Sequence, residues 1–391
     1  MEEDGEAFAD LVESMLSKGP SSAARSLAMQ LMGTSAVTVI SPLGTLPLDK
    51  VRIDNAMPLL KEGSEAIDLS NASLGDIKFG SPPRGQEGVT FTTNLEVDLP
   101  ASFPLSLDFG SATFDLTFTP PVDNATRAVL GDITLTPLAL KRGTNKIPVE
   151  GSLVPPTTDS DRAGLNSFVS RYVAGKPAAL KVVGKSIYLE DTLPSRASPK
   201  WLQKVAAALV VEMDVPGGSK AAFGDISVKD LGITARRGSD DGVNNAIRFE
   251  AVVSAELINP LGPDSPVTVD RAAVAMKLMR GDAILGSLDS GLLEAGSGSS
   301  RGSKQMVTLP FKKTELVFPD RGRAFGALAA DLLKSDTEGE SPSLTIDGTI
   351  AAYVSSDLGP LHLTELPLST NVTLSGLDIA VESDGGLREW G

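Results

Sequence analysis

The chain repeats itself about every 158 residues, which restricts it to copies of one folded unit joined in tandem. Short aromatic-led runs begin at Phe8, Phe168 and Phe325, spaced by 160 and 157 residues. Leu43, Gly44, Leu46, Leu48, Val51 and Ile53 lie 315 residues before Leu358, Gly359, Leu361, Leu363, Leu366 and Leu368, with no gap inside the match. That offset is twice the period. The chain therefore reads as roughly two and a half units cut from a longer parent. Residues 1–70 read as the C-terminal half of a truncated unit, 71–240 as a full unit with a helical insertion, and 241–391 as a second full unit. Units of this size bury a core without disulfide or metal staples.

Within each unit the hydrophobic period is two. The segments 89–99 and 247–257 alternate apolar and polar residues, the pattern of a half-buried strand. Pro100 and Pro260 follow these strands at matching places, and proline cannot continue a central strand. Further strands are expected at 105–107, 112–118, 132–140 and 179–183, then at 267–269, 273–278, 306–317, 344–354 and 366–374. Such regular short strands indicate a mainly β sandwich or barrel rather than alternating βαβ units. The Gly/Ser stretch from Gly296 to Gly302 reads as a flexible loop. Helices are few. Phe168, Val169, Tyr172 and Val173 form one helical face, and Phe325, Leu328, Leu332 and Leu333 form another. Each such helix is expected to plug the core at a sandwich end. Residues 201–209 form a third helix, peculiar to the middle unit.

Composition narrows the function classes. A hydrophobic fraction of 41% with 22% charged residues describes a globular chain. The net charge of −15 repels phosphate backbones, so no nucleic-acid partner is expected. There is no cysteine and one histidine, His362, which alternates against Leu361 and Leu363 and so points out of a half-buried strand. Thiolate nucleophiles and cysteine-ligated metals are thereby removed, and most triads and zinc sites need more than one histidine. Neighbouring acids such as Asp240–Asp241 and Glu190–Asp191 sit in turns, where solvated carboxylates are the ordinary finding. We expect no catalytic residue, no cofactor and no metal site, and hence a non-catalytic chain. No apolar run is long enough to span a membrane, and the acidic start Met1–Glu6 is unlike a secretory leader.

From Phe249 to Ser287 a strand ends in Asn259-Pro260-Leu261-Gly262. Val267–Val269, Ala273–Leu278, Gly281 and Ile284-Leu285-Gly286 follow. This order resembles the late embryogenesis abundant group-two domain, also called the water-stress and hypersensitive-response domain. The earlier unit keeps the strand pattern but has Leu99-Pro100 in place of Asn-Pro. The stretch from Leu165 to Gly175, with Leu180 to Gly184, is similar to the tandem lumenal domains of fungal vacuolar-membrane proteins. The resemblance implies tandem immunoglobulin-like (fibronectin-like) antiparallel β-sandwiches, each with a short helix. It also implies lipid binding or transfer in the apolar interior, and it supplies no catalytic residue.

On that basis Phe249, Val253, Val274, Met276 and Leu278 are candidate lipid contacts bordering a cavity, against the plain alternative of a closed core. An acyl chain needs volume and few polar groups, since each buried methylene contributes ~0.8 kcal/mol. Three sequons, at Asn71, Asn124 and Asn371, are candidate glycosylation sites. They favour the lumenal or extracellular face of a membrane-anchored parent, in the vacuole or secretory pathway, over the cytoplasm. Other repeat units of the same parent are the expected partners. An adhesion or scaffold array without ligand remains the alternative function.

Overall fold

The computed structural model describes residues 28–41, 44–58, 73–83, 85–99, 107–121, 127–188, 200–218, 223–236, 246–259, 261–262, 265–301, 304–318, 326–328, 343–373, 378–383 and 386–389. For 28–41, 44–58, 107–109, 208, 223–236, 246–249, 297–301, 313, 343, 372–373, 378–383 and 386–389 it describes the backbone alone. The chain is mainly β, in several sheets.

The first 58 residues contribute one long antiparallel hairpin, β1 (Ala28–Ser41) and β2 (Gly44–Pro58). Among the described residues these two strands pair only with each other.

The first full unit contains β3 (Ser73–Leu74), β4 (Lys78–Gly80), β5 (Val89–Leu99), β6 (Leu107–Phe109), β7 (Ser111–Phe118), β8 (Ala128–Leu135), β9 (Leu138–Leu140) and β10 (Gly143–Leu153). Helix α1 (Asp159–Val173), β11 (Ala178–Tyr188), helix α2 (Lys200–Ala208) and β12 (Val210–Val215) follow. The order β10-β8-β7-β11-β12-β3-β5 closes on itself, because β5 also pairs with β10 along its whole length. The closed ring is a barrel. All its ladders are antiparallel except β12 with β3, where Asp214 lies opposite Ser73. The alternation of β5 is complete: Val89, Phe91, Thr93, Leu95, Val97 and Leu99 point inward and are buried. Gly151 on β10 leaves the space that the Phe91 ring fills, since a Cβ there would stand 2.3 Å from the ring. The insertion helix α2 buries Leu202, Val205 and Ala206. It sits so close to β11 that a Cβ on Gly184 would meet the Ala206 carbonyl oxygen at 1.9 Å.

The second unit contains β13 (Phe223–Arg236), β14 (Ala246–Ile258), β15 (Val267–Arg280), β16 (Ala283–Glu294), β17 (Gly296–Arg301) and β18 (Lys304–Val317). A helical turn at 326–328, β19 (Ser343–Ser356), β20 (Gly359–Thr373), β21 (Asp378–Ser383) and β22 (Gly386–Glu389) complete it. Its strand order is β20-β19-β15-β16-β18-β14-β13-β21-β22, with β17 on β18. Strand by strand this repeats the barrel. β14 pairs with β18 as β5 does with β10, β15 with β16 and β19 as β7 does with β8 and β11, and β19 with β20 as β11 does with β12. A parallel junction recurs too, β13 with β21.

The hairpins obey the same rule at full resolution. Shifting β1 and β2 by 315 residues lands on β19 and β20 at both ends of both strands. The turn pairs Ser41–Gly44 and Ser356–Gly359 correspond. So does the bulge, between Ser35 and Val37 in one hairpin and between Ile350 and Ala352 in the other.

The structure departs from the sequence expectation in several places. β10 was not expected, and the expected strand 132–140 is divided between β8 and β9. Residues 296–301, expected as a loop, form β17 against β18. The pieces 267–269 and 273–278 are one strand, β15, with a bulge between Val269 and Arg271. β13 lies before the expected boundary at 240 and pairs across it with β14. The expected break at 239–242 lies outside the described residues, as does Phe8.

Candidate functional site

Helix α1 is the place where the two units meet. Its start is written in the sequence. Thr158 is the N-cap, and its hydroxyl accepts from Asp161 N at 3.1 Å and donates to Asp161 Oδ2 at 2.7 Å. Asp161 Oδ1 also accepts from Val129 N at 2.9 Å, tying the helix to β8. Burial pushes the Asp161 carboxyl up, but the hydrogen bonds from Thr158, Val129 and Thr157 outweigh it and hold the group below its ordinary value.

The expected single apolar face of the helix is divided between two neighbours. Toward the barrel, Gly164 lies on Ala128, where an added Cβ would stand 2.1 Å away. Phe168 meets Phe118 edge-on at 5.9 Å, and Tyr172 meets Phe79 edge-on at 5.4 Å. Burial, then the nearby Asp76 charge, raises the Tyr172 hydroxyl above its ordinary value. Toward the second unit, Val169 and Val173 line an apolar cavity with Leu257, Leu261, Val267, Val269 and residues of β19 and β20. Burying each valine contributes about 1.5–3 kcal/mol. The plug expected for a sandwich end is therefore found at the neighbouring unit as well as its own.

Polar contacts fix the docking. Asn166 Oδ1 accepts from His362 N at 3.1 Å, and the buried Ser170 Oγ accepts from Thr364 N at 3.0 Å. These are edge donors of β20, which would otherwise invite a further strand. Lys176 reaches Glu365 at 3.0 Å, but both ends are exposed, so this pair contributes little. Glu365 itself has φ +55. It sits in the β20 bulge, where a left-handed residue bends the strand toward the helix. The Asn259 side chain accepts from Leu261 N and donates to Ser265 O, folding the loop that buries Leu261 in the cavity. Gly262, at φ +89, then abuts Phe79 of the barrel, where a Cβ would stand 2.9 Å from its carbonyl oxygen. The Asn-Pro-Leu-Gly motif thus shapes the same junction.

Of the candidate lipid contacts, Val274, Met276 and Leu278 are buried on β15 and Val253 is half-buried against the core. The Phe249 side chain lies outside the described residues. Val253, Val274, Met276 and Leu278 line neither the junction cavity nor the second cavity, inside the barrel, which Phe79, Phe91, Leu116, Phe168 and Met213 help to line. The two cavities measure about 20 and about 10 Å³, room for roughly one water each. His362 faces away from Leu361 and Leu363, as expected, and stacks on Tyr353 at 4.3 Å, with Arg271 over the other strand's ring at 4.8 Å. Asn371 is exposed on β20, its Oδ1 accepting from Thr345; Asn71 and Asn124 lie outside the described residues. Among the described residues no group of acids and histidine is placed to hold a metal, and no helix is long and apolar enough to cross a membrane.

No protein-family model matches the chain, and no curated protein matches it. Among solved structures, the BSP domain of a biofilm associated protein is 8% identical, with 78% of this chain and 59% of that chain covered and a TM-score of 0.13. This chain thus spans less than two thirds of that one. A Streptomyces albus HEPD with 2-hydroxyethylphosphonate and Fe(II) bound is 11% identical, with 69% and 82% covered and a TM-score of 0.08. Likenesses at this level carry no argument about fold or function.

Proposed function

We propose that this chain is a non-catalytic array of mainly β units, the first a closed barrel, that holds its units in a fixed relation, as the soluble stretch of a membrane-anchored parent. Helix α1 carries the reading. It is built into the barrel through Phe168 and Tyr172 and into the second unit through Val169, Val173, Asn166 and Ser170. A helix anchored on both sides turns a string of domains into a strut. The membrane anchor and a lumenal or extracellular location rest on the family resemblance, with the exposed Asn371 as a glycan acceptor.

The test is a distance measurement. Spin labels at Lys146→Cys and Lys277→Cys, on exposed strands of the two units, report one narrow distance if α1 fixes them. A broad distribution would end the strut reading.

Lipid binding is the second reading. It is favoured by the eleven wholly apolar residues around the junction cavity. At about 20 Å³ the cavity admits a chain only if α1 withdraws. Native mass spectrometry of the purified chain, compared before and after solvent extraction, separates the two: a lipid-sized mass adduct supports it, and its absence leaves the array alone.

A further inference from the structure

Residues 216–222 carry the chain from β12 to β13, and the first three of them lie on the end of α1. β12 pairs with β11 as far as Val215, opposite Ala178. Pro216 then ends the ladder, because it has no N–H to donate. Beyond it, Gly218 N donates to Tyr172 O at 2.7 Å. That carbonyl already accepts from Gly175 N at 3.1 Å, and Lys176 N donates to Arg171 O at 2.8 Å, the bonds of a glycine helix end. Tyr172 O thus serves twice, once within the helix end and once for the connection between the units.

The fit leaves no room for a side chain at one of the two glycines. A Cβ on Gly217 would stand 2.1 Å from the Gly175 carbonyl carbon, 2.3 Å from its oxygen and 2.5 Å from Lys176 N. All three are backbone atoms, so the connection would have to lift. A Cβ on Gly218 would stand 3.0 Å from Tyr172 O and 3.4 Å from the Tyr172 ring, a tightness that a small shift relieves. The loop beneath is held as well. The Arg171 guanidinium donates to Pro177 O at 3.0 and 2.7 Å, and Lys176 reaches Glu365 in the β20 bulge. Tyr172, beside Gly218, meets Phe79 edge-on, and the Phe79 carbonyl abuts Gly262. The glycine pair therefore lies where α1, the barrel and the loop of the second unit converge.

We propose that residues 216–218 are a latch: seated on the C-terminus of α1, they hold the helix in the socket of the second unit, and lifting them frees it. The latch rests on the strut reading and names what locks the joint. The first turn of α1 is tied to β8 through Asp161. The last turn carries Val173, which lines the junction cavity, and it is the turn that the connection holds. Helix ends are the low-stability part of a helix, so a tie at this end decides whether Val173 stays seated. The same tie is continuous in sequence with β13. Separation of the units pulls the connection off the helix end, so unlocking the joint and loosening the last turn are one event.

Residue-resolved amide hydrogen exchange on the full chain reads the latch. The Gly218 amide should be protected in the unaltered chain. Gly217→Ala should speed its exchange roughly tenfold, together with that of the His362 and Thr364 amides, which Asn166 and Ser170 hold, while circular dichroism stays unchanged. Gly218→Ala is the control and should leave the His362 and Thr364 amides slow. An unprotected Gly218 amide in the unaltered chain overturns the proposal, and that measurement needs no variant to fold. So does Gly217→Ala with His362 and Thr364 still slow, because the connection would then not hold the helix in its socket. Equal loosening by both glycine variants overturns it too. The spin-label distance separates this from the wider reading. A broad distance in the unaltered chain ends the strut and the latch with it; a narrow distance with an unprotected Gly218 amide ends the latch alone.

Discussion

The two full units share one order of strands but differ in how each seals its apolar interior. The barrel closes its ring through β5 and β10 and needs nothing from its neighbour to do so. The second unit leaves its mouth, framed by Leu257, Leu261, Val354 and Leu361, to be stopped by α1 of the barrel. Closure in the first case is backbone pairing; in the second it is side-chain packing supplied from outside. Part of the second unit's stability therefore resides in a helix it does not own, which is the nearest-neighbour coupling expected of tandem repeats.

Substitutions along α1 separate the two modes of closure. Phe168→Ala is expected to cost about 3–5 kcal/mol, since it empties the barrel side and loosens the helix for both units. Chemical denaturation should show both units falling together; an effect confined to the barrel would mean the second unit seals itself. Val173→Ala should cost about 2 kcal/mol, felt in the second unit. Hydrogen exchange is expected to quicken in β20 and leave β8 and β10 unchanged. Ser170→Ala strands the Thr364 N–H at the β20 edge and should cost about 1 kcal/mol, read in the same exchange experiment.

Two smaller effects sharpen the contrast. The Asp161 carboxyl is held below its ordinary value, so its contribution is present above about pH 4 and is lost as pH falls through the folded value. Asp161→Asn should flatten the acid limb of the stability profile, and an unchanged limb would remove Asp161 from the helix start. Glu365→Gly trades an exposed ion pair for relief of a left-handed residue and should stabilise by about 0.5 kcal/mol. A clear loss on thermal melting would instead show that the Lys176 pair holds the units together.

Much of this was legible from period alone. The alternation of 89–99 marks β5 to the residue, and the stretches matched at the 315-residue offset lie in the turn and second strand of the two corresponding hairpins. β10 and β13 escaped because their residues speak of turns. β10 contains Pro148 and Gly151, the glycine being needed by Phe91, and β13 is broken by two register shifts. β17 is Gly- and Ser-rich and is a strand only because β18 lends it a ladder. The junction was half visible. Thr158 and Asp161 announce the helix start, but Phe168, Val169, Tyr172 and Val173 form a stripe about 140° wide that reads as one face. Only the neighbour reveals that its two edges serve different cores.

The parallel junctions carry a mechanical consequence. The chain enters the barrel at β3 and leaves it at β12, and these two strands lie side by side in the same direction. Tension along the array pulls them past one another, so the junction is loaded in shear and its rungs bear force together. Among the described residues that junction has a single pair in the barrel, Asp214 with Ser73; between β13 and β21 it runs from Gly232–Asp378 to Arg236–Glu382. Under a steady pull the barrel should therefore be the first unit to give way, although it is the one that closes unaided at rest. Single-molecule extension with the two units distinguished by their contour lengths would show the order, and first rupture of the second unit would rule this out.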